Sequence, residues 1–105
     1  MKISKLIEVL KAIAIDVPFD SELTDSEFGI PECQYLVDIQ HGAPFVVLRF
    51  GDGKGLLTSE AILRLEEMVK EIPFDATVTN GRLGDNHEVL KKVYHDPPVT
   101  VLDFM

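Results

Sequence analysis

The sequence predicts an α+β domain in which two pseudo-symmetric helix-plus-antiparallel-strands repeats share one core. Two segments carry apolar residues at the three- and four-residue spacing of a helix, and each is followed by strand-like runs. A Pro-Phe-Asp triplet follows each helical segment, at Pro18-Phe19-Asp20 and again at Pro73-Phe74-Asp75. Because a helix with one short hairpin cannot bury its apolar face alone, we expect the two units to pack against each other.

The first repeat, residues 1–50, begins with a helix. The apolar residues that share its buried face are Ile3, Leu6, Ile7, Leu10 and Ile13. Ser4 is the candidate N-cap, and Pro18 ends the helix because its ring disfavours helical geometry at the preceding residue. We expect Phe19 to anchor the following turn in the core, so that truncating it costs about 3 to 5 kcal/mol, and the same for Phe74.

A loop over residues 25–31 separates this helix from a predicted antiparallel hairpin. Residues 34–40 alternate in the way of a half-buried strand, with Tyr35, Val37 and Ile39 expected on one face. Residues 41–44 form the turn, and the β-branched and aromatic run 45–50 forms the second strand.

The second repeat, residues 58–105, follows a glycine-rich linker over residues 51–57. Thr58 or Ser59 is the candidate cap of its helix, whose buried face consists of Ile62, Leu65, Met68, Val69 and Ile72. Asn80-Gly81 is typical of a tight turn because both residues tolerate positive φ. Residues 76–79 and 99–104 read as strands, whereas the pattern of residues 88–94 fits either a strand or a helix.

The two halves align with each other along most of their length. An offset of 55 matches residues 3–30 with 58–85, and an offset of 54 matches 34–50 with 88–104. These 45 pairs contain 14 identities, against the roughly one in seventeen expected from average composition. We interpret the pattern as a duplication, and residues 88–94 then inherit the strand assignment of residues 34–40.

Composition limits the possible functions. The chain of 105 residues fits one domain, and its 18 acidic against 10 basic residues give a net charge of −8, which argues against nucleic-acid binding. No apolar run approaches the length of a membrane span, and the N-terminus lacks the pattern of a signal peptide. Cys33 is the single cysteine, so no internal disulfide forms and we expect a cytoplasmic location.

Residues 1–10 (MKISKLIEVL), followed by a turn with Pro and Asp and then by strands such as Val46-Val47-Leu48, resemble small uncharacterised bacteriophage and prophage proteins. In that group a leading helix precedes a β-hairpin, and this chain differs by having two such units. The resemblance implies a phage-type origin, a host-cytoplasmic location and a binding or accessory role. It implies no reaction, and it assigns no functional residue.

No catalytic, cofactor or metal motif stands out, so we do not expect an enzyme. Residues 52–58 superficially match a calcium loop, but the register places Phe50, Lys54 and Ala61 where oxygen ligands belong, and we interpret the segment as a linker. The three histidines, His41, His87 and His95, lack the spacing of a zinc site. We interpret His41 and His95 as turn histidines kept by the duplication and Cys33 as an inert thiol, and we keep a small histidine-dependent metal protein as the weakest alternative.

The acidic residues offer the best functional candidate. No Lys or Arg occurs between Ala12 and Leu48. The acidic residues of this stretch have two possible interpretations, a solvated loop face or a recognition surface for a basic protein partner. The candidate partner-binding residues are Glu22, Asp25, Glu27, Phe28, Glu32 and Tyr35, with Ile30 as a further apolar anchor. We favour a non-enzymatic phage-type binding protein. The alternative is a self-associating assembly module, such as a homodimer, that uses the strand of residues 99–104 as an exposed edge.

Overall fold

A computed structural model of the chain describes residues 1–104 and contains two helices and six strands. In chain order the elements are α1 (Ile3–Asp16), β1 (Glu22–Thr24), β2 (Tyr35–Gly42), β3 (Phe45–Gly51), α2 (Thr58–Glu71), β4 (Thr77–Thr79), β5 (Lys92–Asp96) and β6 (Val99–Asp103). The predicted α+β class is confirmed. Both helices and the first hairpin lie where apolar periodicity placed them, and the second hairpin lies in the region to which the alignment of the two halves assigned it.

All six strands belong to one mixed sheet with the order β4-β3-β2-β1-β6-β5. Both hairpins, β2–β3 and β5–β6, are antiparallel as predicted, and β1 also runs antiparallel to β2. Two further pairings, β1 with β6 and β3 with β4, are parallel and join residues from opposite halves of the chain. An antiparallel bridge between Thr79 and Val89 links β4 to the segment that precedes β5, so the sheet curls until its two edges meet.

The core lies between this curled sheet and the two helices, which pack against each other. Its most deeply buried large side chains are Ile3, Leu6, Leu10, Leu23, Leu36, Leu48, Leu65, Leu90 and Leu102, with Val46, Val47 and Val78. Both halves contribute to this set, so the core is shared as the sequence predicted.

Several contacts recur at the offsets that align the two halves. β1 pairs Glu22 with Val99, and the equivalent pairing in the other half joins Thr77 with Phe45. Matched residues also meet one another: Lys11 Nζ lies 2.9 Å from Glu66 Oε2, and the rings of Phe50 and Phe104 stack edge to face with centroids 5.8 Å apart. A common origin of the two halves stays a prediction.

The helix starts differ from the prediction. Neither Ser4 nor Ser59 is an N-cap; the caps are Lys2 and Leu57, and both serines lie in the first helical turn. The carboxylate of Asp75 accepts hydrogen bonds from the amide of Ser4 at 3.1 Å and from its hydroxyl at 2.6 Å. The carboxylate of Asp20 accepts the equivalent pair from Ser59. Each Pro-Phe-Asp triplet therefore satisfies one free amide at the start of the helix in the other half.

The aromatic residue of each triplet was assigned wrongly. Phe19 and Phe74 are 47% and 48% exposed, so they lie on the surface and do not anchor the core. Each contacts a histidine of the other half: Phe19 packs edge-on against His95 with ring centroids 5.6 Å apart, and Phe74 lies 6.5 Å from His41.

Three strand-level predictions also need correction. A β-bulge between Leu36 and Asp38 breaks the alternation of β2, so Leu36 and Ile39 are buried while Tyr35 and Val37 are only partly covered. Strand β5 begins at Lys92, later than the alignment predicted. Strand β6 lies between β1 and β5, so it is not the exposed edge that was expected to support self-association; self-association itself stays a prediction.

Turn and linker residues behave differently from expectation as well. Among the residues described, positive φ occurs at Gly29 and Gly84, each near +95°, and not at Asn80 or Gly81. The end of the 51–57 segment is held by backbone hydrogen bonds from Leu56 N to Leu36 O at 2.7 Å and from Leu23 N to Leu56 O at 3.2 Å. This segment is therefore part of the folded sheet region.

Candidate protein-binding surface

The loop that joins β1 to β2, residues 25–34, carries four of the six predicted partner-binding residues and is braced by its own side chains. Asp25 Oδ1 accepts hydrogen bonds from the amide of Gln34 at 2.9 Å and from the hydroxyl of Ser26 at 3.1 Å. Thr24 donates to the carbonyl of Ser26 at 2.7 Å, and the Cys33 thiol donates to the same carbonyl at 3.3 Å. Asp25 therefore holds the base of the loop, which leaves the tip to carry exposed residues.

A groove runs beside this loop and is called the acidic groove here. Its volume is about 310 Å³, comparable to the other surface grooves, at about 300 to 390 Å³. The residues that line it are Asp25, Ser26, Glu27, Ile30, Tyr94, Val101 and Asp103. Three of these residues, Asp25, Glu27 and Asp103, carry carboxylates. The apolar lining comes mainly from the exposed Ile30 and the Tyr94 ring, with the buried Val101 behind them. The groove therefore combines an apolar floor with an acidic rim.

The phenol of Tyr94 lies close to the negative charges of the groove. Its hydroxyl lies 3.4 Å from Glu27 Oε1, at the outer limit of a hydrogen bond. Desolvation is the largest cause that raises the pKa of the Tyr94 phenol, followed by the charges of Glu27 and Asp103. Lys92 partly offsets this field, because its ammonium lies 5.4 Å from the centre of the Tyr94 ring and 3.6 Å from Asp103 Oδ2.

The remaining predicted residues are not gathered into the groove. Phe28 and Glu32 belong to the same loop and are exposed, Phe28 to 55%, but they do not line the groove. Glu22 and Tyr35 flank Gly55 instead: a Cβ built on that glycine would lie 3.1 Å from Glu22 Oε2 and 2.9 Å from Tyr35 Cβ. Ile30 lines the groove and Phe28 is an exposed residue of the same loop, whereas Glu22 and Tyr35 form a separate contact.

Sequence reasoning missed the three groove residues contributed by the second half, Tyr94, Val101 and Asp103. They reach the loop because β6 pairs in parallel with β1, which places Val101 beside Thr24. Nothing in the local pattern of residues 92–103 signals that neighbour. The alignment of the two halves shows only that these residues belong to a hairpin.

The equivalent surface of the second half has a different charge. Arg82 occupies the position equivalent to Glu27, and Gln40 occupies the position equivalent to Tyr94. The Arg82 guanidinium donates a hydrogen bond to Gln40 Oε1 at 2.8 Å. Leu83 replaces Phe28 and is 66% exposed. The two loops therefore present similar apolar tips on rims of different charge.

The histidines and the cysteine do not form a metal centre. Within residues 1–104, no group of three His, Cys, Asp or Glu side chains is placed to hold a metal ion. His41 and His95 contact the phenylalanines of the two triplets, while His87 packs on Phe45 with ring centroids 4.8 Å apart. The thiol of Cys33 is occupied in bracing the 25–34 loop.

No protein-family model, curated protein or solved structure matches the chain. In the described part of the chain, neither helix has the length and apolar character that a membrane span requires.

Proposed function

We propose that this chain is a non-enzymatic accessory protein that binds a basic, partly apolar segment of another protein in the acidic groove. The observation that carries the proposal is the convergence of Asp25, Glu27 and Asp103 around the apolar surface of Ile30, Val101 and Tyr94. A Lys or Arg side chain can pair with a rim carboxylate while its neighbours cover the floor. The 25–34 loop therefore serves as one wall of a recognition site.

Charge supports the same partner class. The net charge of −8 repels other acidic surfaces and speeds encounter with basic ones. The exposed Phe28 lies beside the groove and offers an aromatic anchor to an apolar residue of the partner. A segment in which Lys or Arg alternates with Leu or Phe has both features.

The resemblance of residues 1–10 and 46–48 to phage proteins supports a phage-type origin for this role. We propose that the partner is a host or phage protein in the host cytoplasm. The binding site is the acidic groove with the neighbouring Phe28 and Glu32, while Glu22 and Tyr35 act in holding the segment at Gly55.

The direct test uses a fluorescent peptide of alternating Lys and Leu and measures its anisotropy against protein concentration. Glu27→Lys reverses one rim charge without touching the hydrogen bonds that brace the loop. We expect it to weaken binding at least about fivefold, the equivalent of about 1 kcal/mol for one ion pair plus the added repulsion. Ile30→Ala should also weaken binding, because it removes part of the floor.

Glu67→Lys is the matched control, since it makes the same change in net charge on the exposed face of α2, far along the chain from the loop. Equal loss of binding in Glu67→Lys and Glu27→Lys would mean that the peptide senses only net charge. Amide shifts in ¹⁵N spectra provide the second readout: a peptide that perturbs α2 and leaves residues 25–34 and 94 unchanged contradicts the proposed site.

A further inference from the structure

A buried chain of hydroxyl groups links the turn after α1 to the start of α2 and to β6, and it ends at a histidine of β5. Ser21, Thr58 and Thr100 are almost fully buried. Thr58 Oγ1 lies 2.8 Å from the carbonyl oxygen of Ser21 and 3.1 Å from Ser21 Oγ. Ser21 Oγ lies 2.7 Å from Thr100 Oγ1, which in turn lies 3.1 Å from Nδ1 of His95.

These four contacts can all be hydrogen bonds in one arrangement only. Each contact needs one hydrogen, and the three hydroxyls supply one each. The carbonyl of Ser21 can only accept, so Thr58 donates to it, Ser21 donates to Thr58, and Thr100 donates to Ser21. The hydrogen of the fourth contact must then come from Nδ1 of His95. If Nδ1 accepted instead, Thr100 would donate to the ring and Ser21 to Thr100. The single hydrogen of Thr58 could then serve either Ser21 Oγ or the carbonyl, so one of those two hydrogen bonds would be lost.

We propose that this hydroxyl chain holds the neutral imidazole of His95 in its Nδ1–H tautomer, so that Nε2 accepts a hydrogen bond from a ligand with an N–H or O–H group. The hydrogen bond made by one ring nitrogen decides which nitrogen keeps the lone pair. His95 also packs against Phe19, which gives such a ligand an aromatic surface beside the acceptor. This site is separate from the acidic groove.

The second half of the chain provides the comparison. There Ala76, Ile3 and Val46 take the places of Ser21, Thr58 and Thr100, and no ring nitrogen of His41 makes a hydrogen bond within residues 1–104. His87 provides a second reference, because its Nδ1 lies 3.2 Å from the carbonyl oxygen of Asp85, which can only accept. His41 should therefore behave as an unconstrained imidazole and His87 as an Nδ1–H donor.

Long-range ¹H–¹⁵N spectra of the histidine rings test the proposal, recorded at an alkaline pH at which the ring signals no longer change with pH. We expect the Nδ1–H pattern at His95 in the unaltered protein. In Ser21→Ala, Thr100 loses its acceptor and donates to the ring, so His95 should change to the Nε2–H pattern although residue 21 does not touch it. Thr100→Val should give His95 the pattern of His41, and Thr100→Ser should restore Nδ1–H.

An Nε2–H pattern at His95 in the unaltered protein would overturn the proposal, as would an unchanged pattern in Ser21→Ala. Ala and Val are the residues that the second half uses at these positions, and the amide spectrum of each variant shows directly that it is folded. Phenol and anisole test the ligand class, since anisole lacks the O–H donor. Phenol should shift the Nε2 resonance of His95 and anisole should not; equal shifts would contradict the acceptor role.

Discussion

Asp20 and Asp75 each satisfy the start of the helix in the other half of the chain, which makes them the residues that link the two halves most directly. Asp75 accepts two hydrogen bonds from Ser4, so Asp75→Ala should lower the free energy of unfolding by about 1 kcal/mol in urea titrations at neutral pH. Asp75→Asn should cost less, because an amide oxygen can also accept.

The same contact predicts a pH dependence. The hydrogen bond from the Ser4 hydroxyl, and then that from its amide, lower the pKa of Asp75 below its usual value. The stabilisation is therefore fully present above the unfolded pKa of about 3.9 and disappears as the pH falls through the lower folded pKa. The difference in stability between the unaltered protein and Asp75→Ala should shrink across that range. Asp52→Ala, on the exposed part of the 51–57 segment, serves as the control that should show no such difference.

Phe19 and Phe74 show how a residue in a turn can mislead. Neither belongs to a periodic pattern, so their apolar character was the only guide to their burial, and the structure leaves each about half exposed. Phe19→Ala and Phe74→Ala should each cost about 1 to 2 kcal/mol in denaturant unfolding, since only about half of the area of a core phenylalanine is lost. Leu65→Ala, at a fully buried position, should cost about 2 to 5 kcal/mol. Equal losses at Phe19 and Leu65 would contradict the surface placement.

At the scale of elements, helices α1 and α2 and the β2–β3 hairpin follow from local patterns, because burial on one face imposes a period on the sequence. Strand β5 was assigned only through the alignment of the two halves. The bulge in β2 does not follow, since one extra residue between Leu36 and Asp38 shifts the pattern without any marker residue. The folded conformation of residues 51–57 could not be predicted either, because a glycine-rich sequence is typical both of a flexible linker and of a segment whose backbone packs closely against its neighbours.

Alanine substitutions at Gly53 and Gly55 can distinguish a flexible linker from a closely packed backbone segment. A Cβ on Gly55 would lie 2.9 Å from Tyr35 Cβ, closer than real contacts allow, whereas on Gly53 the nearest atom would be Val37 Cγ1 at 3.7 Å. Gly55→Ala should therefore lower the free energy of unfolding by about 1 to 3 kcal/mol, and Gly53→Ala should change it by less than about 0.5 kcal/mol. Two equally neutral results in urea titrations would show that the segment is a simple linker.

At the scale of the whole molecule, the contacts on which the proposed binding site depends most are the ones that sequence patterns could not provide. The β1–β6 and β3–β4 pairings join residues about 30 to 80 positions apart, and no local signal specifies them. Only the folded structure therefore shows that the acidic groove includes Tyr94, Val101 and Asp103. It places Glu22 and Tyr35 elsewhere, beside Gly55. The loop residues Asp25 and Glu27 were found from sequence because charge clustering is itself a local pattern.

The interlocked halves predict that neither repeat folds alone. In residues 1–55, β1 would lack β6, β3 would lack β4, and α1 would lose α2 together with its Asp75 hydrogen bonds. The core side chains of Leu6, Leu10 and Leu36 would then face water, so this fragment should give a disordered circular dichroism spectrum and few dispersed amide signals. Mixing it with residues 56–105 should restore the spectrum of the full chain, because every lost pairing is between the two fragments. A fragment that folds by itself would show instead that each half carries its own core and that the cross-half strand pairings contribute little.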